Sequence, residues 1–286
     1  MPIPASNLSP EKRFMGLFIG RSGSGKTCAE CTFISPQSKK DGKRIRVFDF
    51  DGRIRGILGC QWIDRSIVDY EYYPPRAGIG DKSTFVKLNN DFATLQTQCQ
   101  SGQNPYETII LDSLTSQTFA LLCDALVLTH QTSGKGGDKK GKYLGTMAMP
   151  GPEDYGFESN GTYQLLAFLR SLPIPNIIVS AHIVERYGKA DPNDSYSESV
   201  VVGEKLSIRD KIGENVFIYF DNVFRFERRL VGGEVRHFAT FRSDIARTTF
   251  AELPDGPIDI TGKDFYQGLT RLTSSNQTTS AAGESK

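Results

Sequence analysis

The sequence lacks a charge bias, a long apolar run and a second half to its one metal-like motif. Among 286 residues, 34 Lys and Arg stand against 33 Asp and Glu, a formal net charge of +1. No global field draws such a chain to nucleic acid or to a membrane surface, so contact of that kind has to come from a local patch. No apolar stretch reaches the ~18 residues of a membrane span, and the opening MPIPASNLSPEKR has no apolar core of a signal peptide. The cysteines, Cys28, Cys31, Cys60, Cys99 and Cys123, are odd in number and scattered. That pattern suits reduced thiols in a cytosol and argues against a disulfide framework. Cys28 and Cys31 form a CxxC, but no second Cys or His pair completes a zinc set. No internal repeat is visible. What is present is ordinary for a globular protein: 38% hydrophobic and 23% charged residues. At ~100–200 residues per domain the length allows one large domain or two small ones, and needs no staple to bury a core.

Hydrophobic periodicity outlines alternating strands and helices. Phe14–Gly20 (FMGLFIG) is a short apolar run ending in glycine and predicts a buried strand. Residues 26–34, free of Pro and Gly, predict a helix stopped near Pro36. Residues 44–50 alternate as a second strand with Asp49 and Asp51 at its carboxyl end, and 67–73 predict a third. Phe85, Leu88, Phe92, Leu95 and Cys99 recur at three- and four-residue steps, so 83–100 reads as an amphipathic helix. Residues 108–111 (TIIL) form a strand ending at Asp112, followed by a helix to about Val127. The Gly- and Lys-rich stretch 131–152 predicts a mobile basic loop. A helix at 163–172, a buried strand at Asn176–Ala181 and a polar loop at 189–199 follow. Residues 222–229 and 234–242 alternate about Gly232-Gly233, the signal of a hairpin. The expected fold is α/β: a mostly parallel central sheet flanked by helices, with a C-terminal antiparallel hairpin. Residues 1–13 are expected to be an N-terminal extension, 14–272 one domain, and 273–286 a disordered tail.

The strongest chemical signal is Gly20-Arg21-Ser22-Gly23-Ser24-Gly25-Lys26-Thr27, a full GxxxxGK[ST] phosphate loop between a predicted strand and a predicted helix. Its glycines let the backbone curl so that successive N–H groups face one anionic point, and the helix entered at Cys28 adds its positive end. Lys26 would reach the β/γ-phosphates, and the Thr27 hydroxyl would ligate Mg²⁺. Such a loop needs an acid near the metal at the end of a neighbouring strand. Asp112 supplies it, although strands also end in Asp as helix caps. No Glu follows Asp112, so the group that orients attacking water comes from elsewhere. Asp49 and Asp51, put on one face by alternation, are the candidates, with a ribose contact or a plain Asp-Gly turn as alternatives. Ser180 and His182, ending the strand 176–181, are candidate sensors of the γ-phosphate; a surface histidine without a task is the other reading. Lys135, Lys139, Lys140 and Lys142, with Tyr143 beside them, are the candidate nucleic-acid contacts, able to hold a phosphate backbone and stack one base. A solvated linker is the alternative.

With these motifs in order, the chain resembles the RecA-like branch of phosphate-loop ATPases. More narrowly it resembles the single-core ATPases of bacteriophages known as phage nucleotide-binding proteins, some of which act with single-stranded DNA-binding proteins in strand annealing. The resemblance spans about residues 14–272 and rests on GRSGSGKT, FDFDG, ILDSLT, IIVSAHIVERYGK, FDNVFRFERR with ATFRSDIA, and ITGKDFYQGL. It implies a RecA-like P-loop NTPase fold that takes ATP and Mg²⁺. It assigns water activation to Asp49 or Asp51, where the family has Glu, and the start of a DNA loop to His182, where the family has Gln. It puts a cation reaching into a neighbour's nucleotide on Arg242, with Arg247 as substitute, so that the active site is complete only between subunits of a homo-oligomer. The implied function is a Mg²⁺-dependent ATPase that binds single-stranded DNA and assists phage recombination, annealing or replication in the host cytoplasm. Its implied partners are single-stranded DNA and a single-stranded DNA-binding protein, with no membrane involved. A small-molecule or nucleotide kinase, with Arg53 and Arg55 as lid arginines, and a nucleotide-gated assembly factor are the competing readings.

Overall fold

The computed structural model describes residues 13–74, 83–132, 143–144, 147–148, 150–190, 198–250 and 253–274. The first half of the chain runs β1 (Phe14–Gly20), α1 (Lys26–Glu30), α2 (Pro36–Lys40), β2 (Arg44–Asp49), β3 (Val68–Tyr72), α3 (Thr84–Gln100), β4 (Tyr106–Asp112) and α4 (Leu114–Thr132). Next come β5 (Tyr143–Leu144), β6 (Met147–Ala148), α5 (Pro152–Ser171), β7 (Asn176–Ala181), β8 (Ile183–Lys189) and β9 (Ser199–Leu206). The chain closes with α6 (Asp210–Val216), β10 (Asn222–Val231), β11 (Glu234–Thr240), β12 (Ile258–Asp259) and α7 (Phe265–Ser274). The main sheet has the order β12-β11-β10-β1-β7-β4-β2-β3. From β10 to β3 every neighbouring pair is parallel, and β11 and β12 add an antiparallel edge. The molecule is therefore α/β, with a mostly parallel sheet flanked by helices.

Parallel strands covered on both faces are apolar along their whole length, and every residue of β1 and β7 is buried. Alternation then divides the side chains between two cores. Met15, Leu17 and Ile19 pack with Leu88, Phe92 and Leu95 of α3 and Leu165, Leu166 and Leu169 of α5. Phe14 and Phe18 point the other way, into a cluster with Phe33, Phe224, Phe226 and Phe265. There the Phe14–Phe33 centroids are 4.8 Å apart and those of Phe18–Phe226 4.9 Å. Burying each such ring is worth roughly 1.5–3 kcal/mol, and the cluster seals β10 and α7 against β1. Strand register aligns the carboxyl ends: Asp49 pairs with Asp112, and Phe18 with Ser180. The loops leaving β1, β2, β4 and β7 thus emerge along one edge of the sheet.

The hairpin expected around Gly232-Gly233 joins β10 to β11; both glycines have positive φ, 60° and 84°, as a tight two-residue turn demands. Several elements differ from the sequence pattern. The helix expected over 26–34 ends at Glu30, because Thr32 Oγ1 bonds the Ala29 carbonyl and Phe33 and Ile34 turn into the core. α5 begins at Pro152, eleven residues earlier than expected, with Asp154 accepting the Gly151 N–H at 2.7 Å. The polar loop expected over 189–199 is flanked by strands: β8 and β9 pair antiparallel as a separate ribbon immediately after β7. α4 extends to Thr132, and within the expected basic loop Tyr143 pairs with Ala148. Residues 133–142, 145–146 and 149 of that loop lie outside the described residues, as do 1–12 of the expected extension and 275–286 of the expected tail. No helix among the described residues is long and apolar enough to cross a membrane.

Candidate functional site

β1 feeds the phosphate-loop sequence at Gly20. Ser24 N–H closes the turn onto the Arg21 carbonyl at 3.2 Å. Gly25 sits at φ +94°, and a Cβ there would lie 3.1 Å from His237 Nδ1, so both the backbone and the neighbour call for glycine. α1 starts at the next residue, which projects Lys26 and Thr27 from its first turn. Lys26 is buried, and its Nζ donates to the carbonyls of Gly20 (2.8 Å) and Arg21 (3.2 Å), holding the loop from inside. Thr27 Oγ1 donates to Asp112 Oδ2 at 2.8 Å, and Ser180 Oγ donates to Asp112 Oδ1 at 2.5 Å. Asp112 on β4 thereby receives one hydroxyl from the loop and one from β7, the strand that separates β4 from β1. A hydroxyl and a carboxylate side by side offer hard oxygen ligands to a magnesium-like cation. Such an ion takes few protein ligands and fills its shell with water and phosphate oxygens. Among the described residues no group of three or more His, Cys, Asp or Glu could hold a metal by protein ligands alone.

The two acids after β2 have different surroundings. Asp49 turns back on the chain: Oδ1 accepts Gly52 N–H at 2.7 Å and Arg53 N–H at 3.4 Å, and Oδ2 accepts Ile54 N–H at 3.2 Å. It thus caps the short 3₁₀ turn Ile54–Gly59. Burial pushes its carboxyl up, with those backbone bonds pulling against it. Asp51 enters the cavity instead. Its Oδ1 accepts Ser113 Oγ at 2.9 Å and Ser116 Oγ at 2.5 Å, and its Oδ2 lies 2.7 Å from His182 Nε2. Burial acts to raise the Asp51 carboxyl, but the bonds from His182, Ser116 and Ser113 outweigh it and hold the group at about 2. His182 is fixed in turn by its backbone N–H, which donates to Thr115 Oγ1 at 3.0 Å. Period-two alternation would put both acids on one face, but β2 ends at Asp49 and a turn intervenes before Asp51.

One acid here has no sequence signal. Glu30, one helical turn beyond Lys26, is fully buried, and neither of its carboxylate oxygens has a hydrogen-bond partner. Burial first, and then Asp112, pushes its carboxyl well above the usual range, while Lys26 pulls it down. Burial lowers the Lys26 ammonium, against which Glu30, Asp112 and Asp51 hold it up. Burial also raises Asp112, opposed by the Ser180 bond. Several acids therefore act on Lys26 in a poorly solvated place, with Arg53 as a second cation beside them.

Loop residues 22–29 line a cavity of about 360 Å³ together with Asp51, Asp112 and His182. A second set of lining residues is mostly apolar or aromatic: Cys60, Trp62, His237, Ile260 and Phe265. Cys60 Sγ lies 2.7 Å from Cys28 Sγ, so the thiol that Cys28 meets is not that of Cys31. Of the expected loop contacts, Ser22, Gly23, Ser24, Gly25, Lys26, Thr27 and Cys28 face the cavity. The Arg21 guanidinium turns away and pairs with Glu185 on β8. Arg53 lines the cavity and donates to Ser22 Oγ, whereas Arg55 is exposed outside it. Arg242 pairs with Asp255 at 2.6 Å away from the cavity. The Arg247 guanidinium donates to the carbonyls of Phe217 and Phe220. Lys135, Lys139, Lys140 and Lys142 lie outside the described residues, and Tyr143 is described by its backbone alone. Sequence reasoning gave no role to Ser113, Thr115 or Ser116, although hydroxyls crowded behind a strand-ending Asp are a readable signal. No protein-family model matches the chain, and no curated protein matches it.

Proposed function

We propose that this chain is a Mg²⁺-dependent ATPase of the RecA-like P-loop class that binds single-stranded DNA and assists phage DNA recombination, annealing or replication. The carrying observation is the 2.8 Å bond between Thr27 Oγ1 and Asp112 Oδ2, which joins the last residue of GxxxxGKT to the acid at the end of β4. Thr27 and Asp112 would hold Mg²⁺, which when bound neutralises charge on the β- and γ-phosphate oxygens. Lys26, freed from the Gly20 and Arg21 carbonyls, would stabilise the same charge from the loop side. Asp51 is the acid proposed to face the attacking water. A carboxylate held at about 2 is a weak proton acceptor, so its task is to orient the water through a hydrogen bond. Ser180, bonded to Asp112, and His182, bonded to Asp51, make β7 the element that senses the phosphate end. β8 follows His182 directly, and Arg21 of the loop pairs with Glu185 on β8. Both links give nucleotide state a physical route to the β8–β9 ribbon, the proposed DNA-responsive element together with the lysine-rich segment 135–142. Arg242, whose partner Asp255 is well exposed, is the group proposed to reach a neighbouring subunit's nucleotide in a homo-oligomer.

The test is ATP turnover measured with and without single-stranded DNA across a salt series. Stimulation that fades steeply with salt is the expected result, because phosphate contacts release counterions. Turnover that is absent with Mg²⁺ present, or indifferent to DNA at low salt, overturns the corresponding half of the proposal.

A further inference from the structure

Cys28 belongs to a CxxC with Cys31, yet its sulfur meets a third cysteine. Cys28 Sγ and Cys60 Sγ lie 2.7 Å apart across 32 residues of chain, and both residues line the phosphate-loop cavity. Cys31 is buried at 3% exposure, outside that lining. Two separate elements bring the pair together. Cys28 stands in the first turn of α1, next to Thr27. Cys60 closes the 3₁₀ turn Ile54–Gly59, its thiol directed at the Gly56 carbonyl 3.9 Å away. Such an approach of two sulfurs is what a disulfide requires. We infer that Cys28 and Cys60 form a redox modification site, a dithiol that small peroxides oxidise to a disulfide, which weakens ATP binding; the effect on ATP rests on the phosphate-binding role proposed for the loop.

Burial, and then the bond to Cys60, pushes the Cys28 thiol up, so Cys28 keeps its proton and the first attack falls to Cys60. The Cys60 thiolate attacks one peroxide oxygen and the O–O bond breaks. Hydroxide leaves and takes up the proton that Cys60 gave, so the products are water and a Cys60 sulfenic acid. The Cys28 sulfur then attacks the Cys60 sulfur. The S–S bond forms, the S–O bond breaks, and the departing hydroxide takes the Cys28 proton as a second water. Two thiols have lost two electrons and two protons, and the peroxide has gained them.

The consequence for nucleotide follows from where the bond sits. To meet phosphate, Lys26 has to leave the Gly20 and Arg21 carbonyls, and Thr27 has to share Asp112 with a cation. Both residues precede Cys28 in the same helical turn. A Cys28–Cys60 bond ties that turn to the segment carrying Asp51 and Arg53, and Arg53 already holds Ser22 of the loop. The dithiol leaves the turn free to shift, whereas the disulfide restrains it. By reciprocity, bound ATP favours the dithiol by the same factor that the disulfide takes from ATP affinity.

The reduced full-length protein is treated with a small excess of hydrogen peroxide, and its thiols and disulfides are mapped by alkylation and mass spectrometry. The Cys28–Cys60 disulfide is expected to form before the partly exposed Cys99 and Cys123 are oxidised. Affinity for ATP with Mg²⁺, by calorimetry, is expected to fall about tenfold on oxidation and to return with dithiothreitol. Saturating ATP is expected to raise the reduction potential of the pair, measured in dithiothreitol buffers, by ~30 mV, the two-electron equivalent of that factor. Cys60→Ser is expected to bind ATP equally before and after peroxide. A disulfide joining Cys28 to any other cysteine, or oxidation of Cys99 and Cys123 ahead of the pair, overturns the site. A Cys28–Cys60 disulfide that leaves ATP affinity unchanged overturns its effect on nucleotide. If the reduced protein binds no ATP, the phosphate-loop reading fails and takes that effect with it, while the disulfide map decides the redox site by itself.

Discussion

Asp51→Asn removes one charge from the cavity with almost no change of side-chain size. Three donors converge on the native carboxylate, from His182, Ser113 and Ser116. They hold it at about 2 against an ordinary 3.8. At ~1.4 kcal/mol per pH unit, that difference is worth roughly 2 kcal/mol of folding stability. Solvent screening removes little of it, because the Asp51 side chain is only 7% exposed. The sign is set by the folded value lying below the unfolded one. The contribution is complete above the unfolded value and is lost as pH falls from about 4 towards about 2. Removing the Asp51 charge also ends its attraction to Lys26 and its repulsion of Glu30 and Asp112, contributions of opposite sign that offset one another. Urea unfolding at pH 7, 5, 4 and 3 should therefore find the variant less stable by roughly 2 kcal/mol at pH 7 and 5, with the gap shrinking to about half at pH 3. A gap under ~0.5 kcal/mol at pH 7, or one that keeps its full size at pH 3, would refute the reasoning. The first outcome would mean that the three donors do not stabilise the carboxylate. The second would mean that the loss lies in packing and not in charge. In the same variant the proposed water-orienting role predicts turnover lower by about 100-fold, with ATP affinity altered far less.

Asp49→Ala should behave as the loss of a cap: it removes three backbone acceptor contacts and should cost about 1–2 kcal/mol in urea unfolding while ATP binding persists. Lys26→Ala should weaken ATP binding by two orders of magnitude or more by calorimetry, and intact binding would remove the phosphate-loop assignment. Arg242→Ala should lower turnover of the assembled protein by about 10³ yet change stability by less than ~1 kcal/mol, since the Asp255 pair is largely exposed; unchanged turnover would remove the trans-acting arginine. Reversing the charges at Lys139 and Lys140 should weaken single-stranded DNA binding and flatten its salt dependence, and no change in either would reduce that segment to a linker.

What could be read along the chain was what neighbouring residues make together. GRSGSGKT needs only local backbone freedom and one strand-to-helix junction, so its place at the edge of the sheet was legible from pattern alone. The partners of that loop are another matter, because they are set by register between strands distant in sequence. Thr27 meets Asp112 across 85 residues, Ser180 meets Asp112 across 68, and His182 meets Asp51 across 131. Asp49 and Asp51 looked equivalent because alternation describes a strand and says nothing of where the strand stops. The β8–β9 ribbon hid for a different reason. Val184, Tyr187, Val200, Val201 and Val202 are all exposed, so no half-buried alternation was there to mark a strand. The first half of α5 carries Gly156 and Gly161, which weaken helix propensity, although a Cβ at Gly161 would crowd Leu121 of α4 at 3.0 Å.

Glu30 is the clearest case of a residue whose meaning is tertiary. Nothing in the pattern of residues marks it, and only the packing around α1 makes it a buried acid without a hydrogen-bond partner. The net charge of +1 conceals it for the same reason, since a count of charges is blind to burial. Around Lys26 the carboxyls of Glu30, Asp51 and Asp112 act on one ammonium. A cation brought to Thr27 and Asp112 would offset the charge of these carboxyls, whereas phosphate alone would add to it. The site should therefore take nucleotide and divalent cation together, and nucleotide affinity measured with a chelator present should fall well below that measured with Mg²⁺. Equal affinities under the two conditions would mean that Lys26 alone balances the phosphates and that the Thr27–Asp112 pair has no part in binding.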